Sequence, residues 1–388
     1  MAQDNQAKPY DGLLITSEMR LGLRQWAMAL AIVTLIAVAT PRLWKQCERF
    51  DAGADYRIPY ALSNDYWLFD WRLQKIADAK PIVVLGDSVV WGEYVKSDGT
   101  FSHFLNTAAG EPDRFVNAGV NGLFPLALEG LVRHYGTSLH DRKVIVAWNV
   151  LWLSSPEADM QAAKAENINH ATLVPQFVPR IPCYQVDANE RISAAIGRSV
   201  GFMGWVNHLQ NCYFHQQSIP QWTLDEDAAQ TGRYANSAKN PLAEITLVVP
   251  SGQAGDAQRG PGSPCHKPWI ESGARRNLFE WVSPASSLQW AAFQRTADLL
   301  RDRGNDVLVI VMPFNEHMIA EKSVAGYTAI HNAVLTWLSE KGVPYVAPNA
   351  LPSVLYADAS HPLTSGYELL AKLVYQADAF HKWMHEKR

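Results

Sequence analysis

The chain carries no surplus of positive charge. Its 34 lysines and arginines stand against 38 aspartates and glutamates, a formal net charge of -4. A nucleic-acid binder needs a basic patch, and nothing here points to that class. Cysteine is scarce, with four in 388 residues. Cys47 stands apart, while Cys183, Cys212 and Cys265 fall in one stretch. In an oxidising compartment one bridge among those three is expected, with the pair undetermined. Cys265-His266 has no second close pair beside it, so no metal site is expected. The chain also lacks a glycine-rich phosphate loop, a Gly-x-Ser-x-Gly elbow and a His-Glu-x-x-His pair, and no cofactor is expected. Charged residues make up only 19% against 48% hydrophobic ones, which permits a substantial core and argues against disorder.

One hydrophobic run is long. Trp26 to Thr40 contains no charge, with Arg20 and Arg24 before it and Arg42 and Lys45 after it. Leu21, Leu23, Leu43 and Trp44 extend the run, and flanking arginines can snorkel, so it reads first as a membrane anchor. Two alternatives stand beside that. Ala37-Val38-Ala39 resembles the cleavage site of a removable signal, and a buried helix of a soluble protein has similar composition. Anchor and signal both export the rest of the chain. Lys8, Arg20 and Arg24 then mark the inner side. The expectation is one pass through an inner membrane, with the bulk facing the periplasm or cell exterior.

The richest stretch is Ile82-Val83-Val84-Leu85-Gly86-Asp87-Ser88. Four apolar residues, three of them β-branched, read as a buried strand. Gly86 ends it, and Asp87 and Ser88 fall where a helix begins. A serine at such a turn stands above the sheet edge, near backbone N–H groups that can stabilise an oxyanion. The plainer reading is that Asp87 or Ser88 only caps the helix. A serine nucleophile needs a base and an orienting group. Asp358 and His361, three residues apart near the C-terminus, supply both on one side of a turn, although Ser360, Pro362 and Gly366 also suit a surface turn.

Gly86-Asp87-Ser88, with Gly92 four residues beyond the serine, resembles the first block of the SGNH (GDSL-type) hydrolases, and Asp358-x-x-His361 resembles their last. Val116-Asn117-Ala118-Gly119-Val120-Asn121-Gly122 is similar to the second block, with Gly122 the better match for its donor glycine and Gly119 the fallback. Val144 to Asn149 reads as a strand ending in asparagine, as the third block does, except that Trp148 stands where the family usually has glycine. The blocks follow the family's order and cover about half of the chain. The resemblance implies catalysis by Ser88, Asp358 and His361, and an oxyanion hole from Ser88, Gly122 and Asn149. Asp87 is expected to be structural, binding backbone around the nucleophile.

Strands alternate with helices on both sides of this stretch. Helices are expected at 100–108, 125–136, 287–303 and about 325–341, strands near 115–116, at 143–148, 306–312 and 343–346, and a last helix over 365–387. That pattern predicts an α/β fold with a parallel sheet covered on both faces and the active site at the carboxyl ends of its strands. The resemblance adds the flavodoxin-like, three-layer α/β/α architecture of the SGNH fold. Four parts are expected: a tail and anchor (1–45), an aromatic-rich connector with a helix from Tyr66 to Ala79 (46–80), a catalytic domain (81–150 and 285–388), and an insertion or lid (151–284). The insertion should hold helices near 156–166 and 189–210 and a loose polar loop, Ser251–Pro268. The family includes exported, membrane-anchored members that acetylate cell-surface polysaccharides beside a membrane acyl-donor protein. It therefore implies O-acetyl transfer from an acyl donor to a polysaccharide acceptor, with a membrane partner. A carbohydrate O-acetyl esterase is the first alternative, and a non-catalytic, membrane-tethered assembly subunit the second.

Overall fold

The computed structural model describes residues 22–53, 55–224, 238–250 and 267–386. The polar tail before residue 22, most of the expected loop Ser251–Pro268, Cys265 and His266 lie outside these residues.

Five strands form one parallel sheet: β1 (Ile82–Gly86), β2 (Phe115–Gly119), β3 (Lys143–Trp148), β4 (Asp306–Val311) and β5 (Tyr345–Val346). Their order is β2-β1-β3-β4-β5. The helices in chain order are α1 (Leu23–Cys47), α2 (Tyr66–Lys75), α3 (Ser88–Trp91), α4 (Phe101–Ala109), α5 (Pro125–Tyr135), α6 (Ala188–Ser199), α7 (Gly201–Tyr213), α8 (Ile219–Leu224), α9 (Pro241–Glu244), α10 (Leu288–Asp302), α11 (Glu321–Glu340), α12 (Thr364–Tyr375) and α13 (Asp378–His385).

The strands are apolar on both faces because both faces are covered. Val83, Leu85, Val144, Val146, Val307 and Val309 pack into one layer with Leu131 of α5, Phe293 of α10 and Val334 of α11. Their strand neighbours Ile82, Val84, Ile145, Leu308 and Ile310 pack into the other, with Phe101 of α4, Leu370 of α12 and Phe380 of α13. This is the period-two alternation of a strand applied to two cores. β1 lies between β2 and β3, so the chain turns one way from β1 to β2 and the other way to β3. In such sheets a crevice opens at that reversal, outside the carboxyl ends of the strands.

Between β3 and α10 no described strand joins the sheet; this stretch holds α6 to α9. Four expected helices come out differently. α2 stops at Lys75, short of Ala79. No helix forms over 156–166. There Ser155 Oγ takes the N–H of Ala158, and the buried Asp159 reaches across to accept the Leu288 and Gln289 N–H groups of α10 at 3.0 and 3.1 Å. That carboxylate stabilises the start of another helix instead of continuing its own. The helix expected over 189–210 is two, broken where β-branched Val200 is extended ahead of Gly201. The last helix breaks likewise at the extended Ala377.

α1 is long and apolar enough to cross a membrane. Its apolar side chains are unpacked apart from Pro41 and the last turns. There Trp44 meets Trp205 of α7 edge-on, with ring centres 5.5 Å apart, and Lys45 Nζ lies 3.4 Å from Asp70 Oδ2 of α2.

Candidate active site

Ser88 is the first residue of α3, directly after β1. Asp87 caps that helix, its Oδ1 accepting the Val89 N–H at 2.9 Å. Asp87 Oδ2 accepts two further bonds, from Asn149 Nδ2 at 2.8 Å and Trp152 Nε1 at 2.9 Å. Asp87 therefore ties the turn at Ser88 to Asn149 and Trp152 after β3. Buried Arg57 holds the far end of α3. It stacks on the Trp91 ring and donates to the Trp91, Gly92 and Val95 carbonyls. Tyr367 of α12 donates to the Val89 carbonyl at 2.7 Å. A four-residue helix cannot hold itself; here its neighbours hold it.

Asp358 and His361 lie on the turn before α12, 270 residues or more from Ser88 in sequence and beside it in space. His361 Nε2 is 2.8 Å from Ser88 Oγ, and His361 Nδ1 is 2.8 and 2.9 Å from the two Asp358 oxygens. Asp358 Oδ1 also accepts the Ser360 and His361 N–H groups at 2.9 Å each. The loop after β4 braces this turn: Asn315 donates from its backbone to the Ala359 carbonyl and from its side chain to the Asp358 carbonyl. Burial opposes the charged form of His361, but Asp358, with Glu93 and Asp87 nearby, outweighs it and lifts the pKa to about 9. Burial likewise opposes the charged form of Asp358, yet His361 and the two backbone N–H groups bring it down to about 2. The pair is an imidazole held by a carboxylate, with a hydroxyl on its other nitrogen.

Three donors were expected around the developing oxyanion. Among the described residues neither the Ser88 nor the Gly122 backbone N–H has a hydrogen-bond partner. Gly122 sits at φ +71, where a side chain is strained. Its loop is fixed by buried His170, which bridges the Asn121 carbonyl at 2.8 Å and the Tyr66 hydroxyl at 2.9 Å. The carbonyl requires a hydrogen on Nε2, which leaves Nδ1 facing the Tyr66 hydroxyl, a group that also lies 3.2 Å from Asn64 Oδ1. Asn149 spends one amide hydrogen on Asp87, and its oxygen accepts the Leu151 N–H. An amide nitrogen carries two hydrogens, so one stays available. Gly119 does not qualify as a fallback. Its N–H already serves Asn117 Oδ1 at 3.0 Å. It is glycine because a Cβ there would stand 2.3 Å from the Trp91 nitrogen, on the backbone of α3.

Sequence reasoning missed several residues of this site. Glu93 Oε2 lies 3.8 Å from His361 Nε2 and takes a bond from Asn121 Nδ2 at 3.3 Å. The only available signal was its place five residues after Ser88, at the other end of α3. Tyr94 sets its ring edge against His361. Arg57 and Trp152 carry no local signal at all. Beside Gly122, whose nearest side-chain neighbours are Asn169 and His170, a cavity of about 740 Å³ opens between α2, α6 and α7. Tyr66, Trp67, Tyr135, Tyr184, Asn207 and Arg198 are among its walls.

Cys183 and Cys212 are free thiols, and every expected pairing would use one of them, so the expected bridge does not form. Burial raises both thiols, Cys212 to about 12. No family model matches the chain, and no curated protein matches it either.

Proposed function

We propose that this chain is an exported, membrane-anchored serine acyltransferase of the SGNH hydrolase type that O-acetylates a cell-surface polysaccharide. The Ser88 Oγ to His361 Nε2 hydrogen bond of 2.8 Å, continued to Asp358, carries this reading. His361 takes the Ser88 proton as Oγ attacks the acyl carbonyl, and Asp358 steadies the imidazolium. The oxyanion is received by the Ser88 and Gly122 N–H groups and the second Asn149 hydrogen. His361 returns the proton to the leaving group. It then takes a proton from the acceptor hydroxyl, whose oxygen attacks the acyl-Ser88 carbonyl, and it returns that proton to Ser88 Oγ as the ester bond breaks.

The choice of transfer over hydrolysis rests on two features. α1 suits a chain kept beside a membrane acyl donor. The 740 Å³ cavity near the Gly122 loop has aromatic, amide and arginine residues among its walls, a mixture suited to a sugar, although Ser88 and His361 are not among them. The test uses the full chain in detergent with 4-nitrophenyl acetate, comparing wild type and Ser88→Ala with and without an oligosaccharide acceptor, with products read by mass. Serine-dependent acetylation of the sugar is the expected result. Serine-dependent acetate alone makes the protein an esterase. Serine-independent release, or no acyl-enzyme on Ser88, overturns the reading.

A further inference from the structure

A second histidine is held between carboxylates, about as buried as a side chain can be. Glu48 directly follows α1, Asp65 caps α2, and His208 and Cys212 stand one turn apart on α7. The side chains of Glu48, Asp65 and His208 are all 0% exposed. His208 Nδ1 lies 2.7 Å from Asp65 Oδ2, and Cys212 Sγ lies 3.6 Å from that nitrogen and 3.7 Å from that oxygen. His208 Nε2 lies 2.8 Å from Glu48 Oε2, and the Tyr213 hydroxyl donates to the other Glu48 oxygen.

We infer that Asp65 Oδ2, His208 Nδ1 and Cys212 Sγ form a zinc-binding site, with Glu48 as its outer partner. An O, N and S donor set is the mixture that borderline-soft zinc accepts. Tetrahedral zinc, with Zn–S about 2.3 Å and Zn–N and Zn–O about 2.0–2.1 Å, sets its sulfur about 3.5–3.6 Å from the other donors and those donors about 3.3 Å apart. The two sulfur separations already match. Only Nδ1 and Oδ2 must part, by about 0.6 Å, as the metal replaces the proton between them. Binding also displaces the Cys212 thiol proton, so zinc enters as a dication and protons leave. The surroundings fit a metal-bound histidine, whose other nitrogen usually donates to a carboxylate. Glu48 takes that place and is itself fixed by Tyr213. Asp65 is held through Oδ1, which accepts the Leu68 N–H at 2.9 Å and leaves Oδ2 for the ion. Three protein donors leave a fourth position for water. The ion would join the connector helix to the insertion and, through Glu48, to the residue at the end of α1. This inference does not depend on the acyl-transfer reading.

The test measures metal on the full chain, purified in detergent with a tag that binds no metal and without chelators. Mass spectrometry of wild type and Cys183→Ser should give about one zinc per chain. Cys212→Ser should lose most of it on dialysis, and Glu48→Gln should bind about 10- to 100-fold more weakly. Cobalt added to zinc-free wild type should give a thiolate-to-cobalt charge-transfer band that Cys212→Ser lacks. Should Cys212→Ser not fold, the cobalt band and Glu48→Gln still decide. Zinc below about one tenth per chain, with no cobalt band at tenfold excess in a cooperatively folded wild type, overturns the site and leaves a proton between Asp65 and His208. Equal zinc in wild type, Cys212→Ser and Glu48→Gln places the metal elsewhere and overturns it too.

Discussion

His361 and His208 are both imidazoles gripped by a carboxylate on Nδ1, at 2.8 and 2.7 Å. They differ at Nε2. His361 meets a serine hydroxyl near two backbone N–H groups that have no hydrogen-bond partner among the described residues, whereas His208 meets Glu48 where both side chains are fully buried. Asp–His is therefore not a catalytic signature by itself. The third partner differs: under the proposed function the hydroxyl makes the first pair a base for acyl transfer, and under the zinc inference the second carboxylate backs a metal ligand.

The sharpest way to break this comparison is to alter the groups around each histidine in turn. Ser88→Ala should lower turnover by about 10⁴-fold or more and abolish the acyl-enzyme, with thermal unfolding little changed; near-normal turnover would remove Ser88 as nucleophile. Asp358→Asn leaves the shape but loses the charge that favours imidazolium. A fall in turnover of about 10³- to 10⁴-fold is expected. At the other histidine the readout changes. His208→Gln should leave two buried carboxylates without their cation, costing about 3–5 kcal/mol in urea unfolding. An unfolding midpoint like wild type's would show that Glu48 and Asp65 are not held by charge. Asn149→Ala should slow turnover about 10²- to 10³-fold through the lost oxyanion donor, and no kinetic change would assign that donor elsewhere.

The smallest expected effect is in pH. Catalysis needs neutral His361, so the rate should climb with pH along a limb displaced above the ordinary histidine value of 6.5 toward about 9. Labelling of Ser88 by a fluorophosphonate across pH reads this directly, and a limb near 6.5 would deny the grip of Asp358. The same shift acts on stability. Its contribution is complete below the unfolded histidine value and is lost as pH rises through about 9. That of Asp358 is complete above the unfolded carboxylate value and is lost as pH falls toward 2.

The sheet was legible because its residues carry their own signal. β-branched runs at 82–85 and 143–148 have one stable use, a strand covered on both faces. Ser88 and the Asp358-His361 pair were legible because a turn after a strand and a three-residue spacing are local features. Glu93, Arg57 and Trp152 were not, since each acts through the fold's third dimension. The cluster at His208 was largely hidden. Its two carboxylates lie 143 and 160 residues away, and the four-residue spacing of His208 and Cys212 on one helix was the only local hint of it. The helix expected at 156–166 failed for a related reason, as Asp159 is committed to α10.

The last turns of α1 are seated on the body through Trp44 against Trp205 and Lys45 against Asp70. This is a mast, not a leash. A flexible tether lets a head sweep a volume that grows with its length; a helix locked at its foot fixes both height and bearing. One residue inserted before Trp44 would raise the body by about 1.5 Å and turn it by about 100°. Were α1 the membrane anchor of the proposed function, a foot of this kind would hold Ser88 at one height and tilt over the bilayer, within reach only of what is brought to that height.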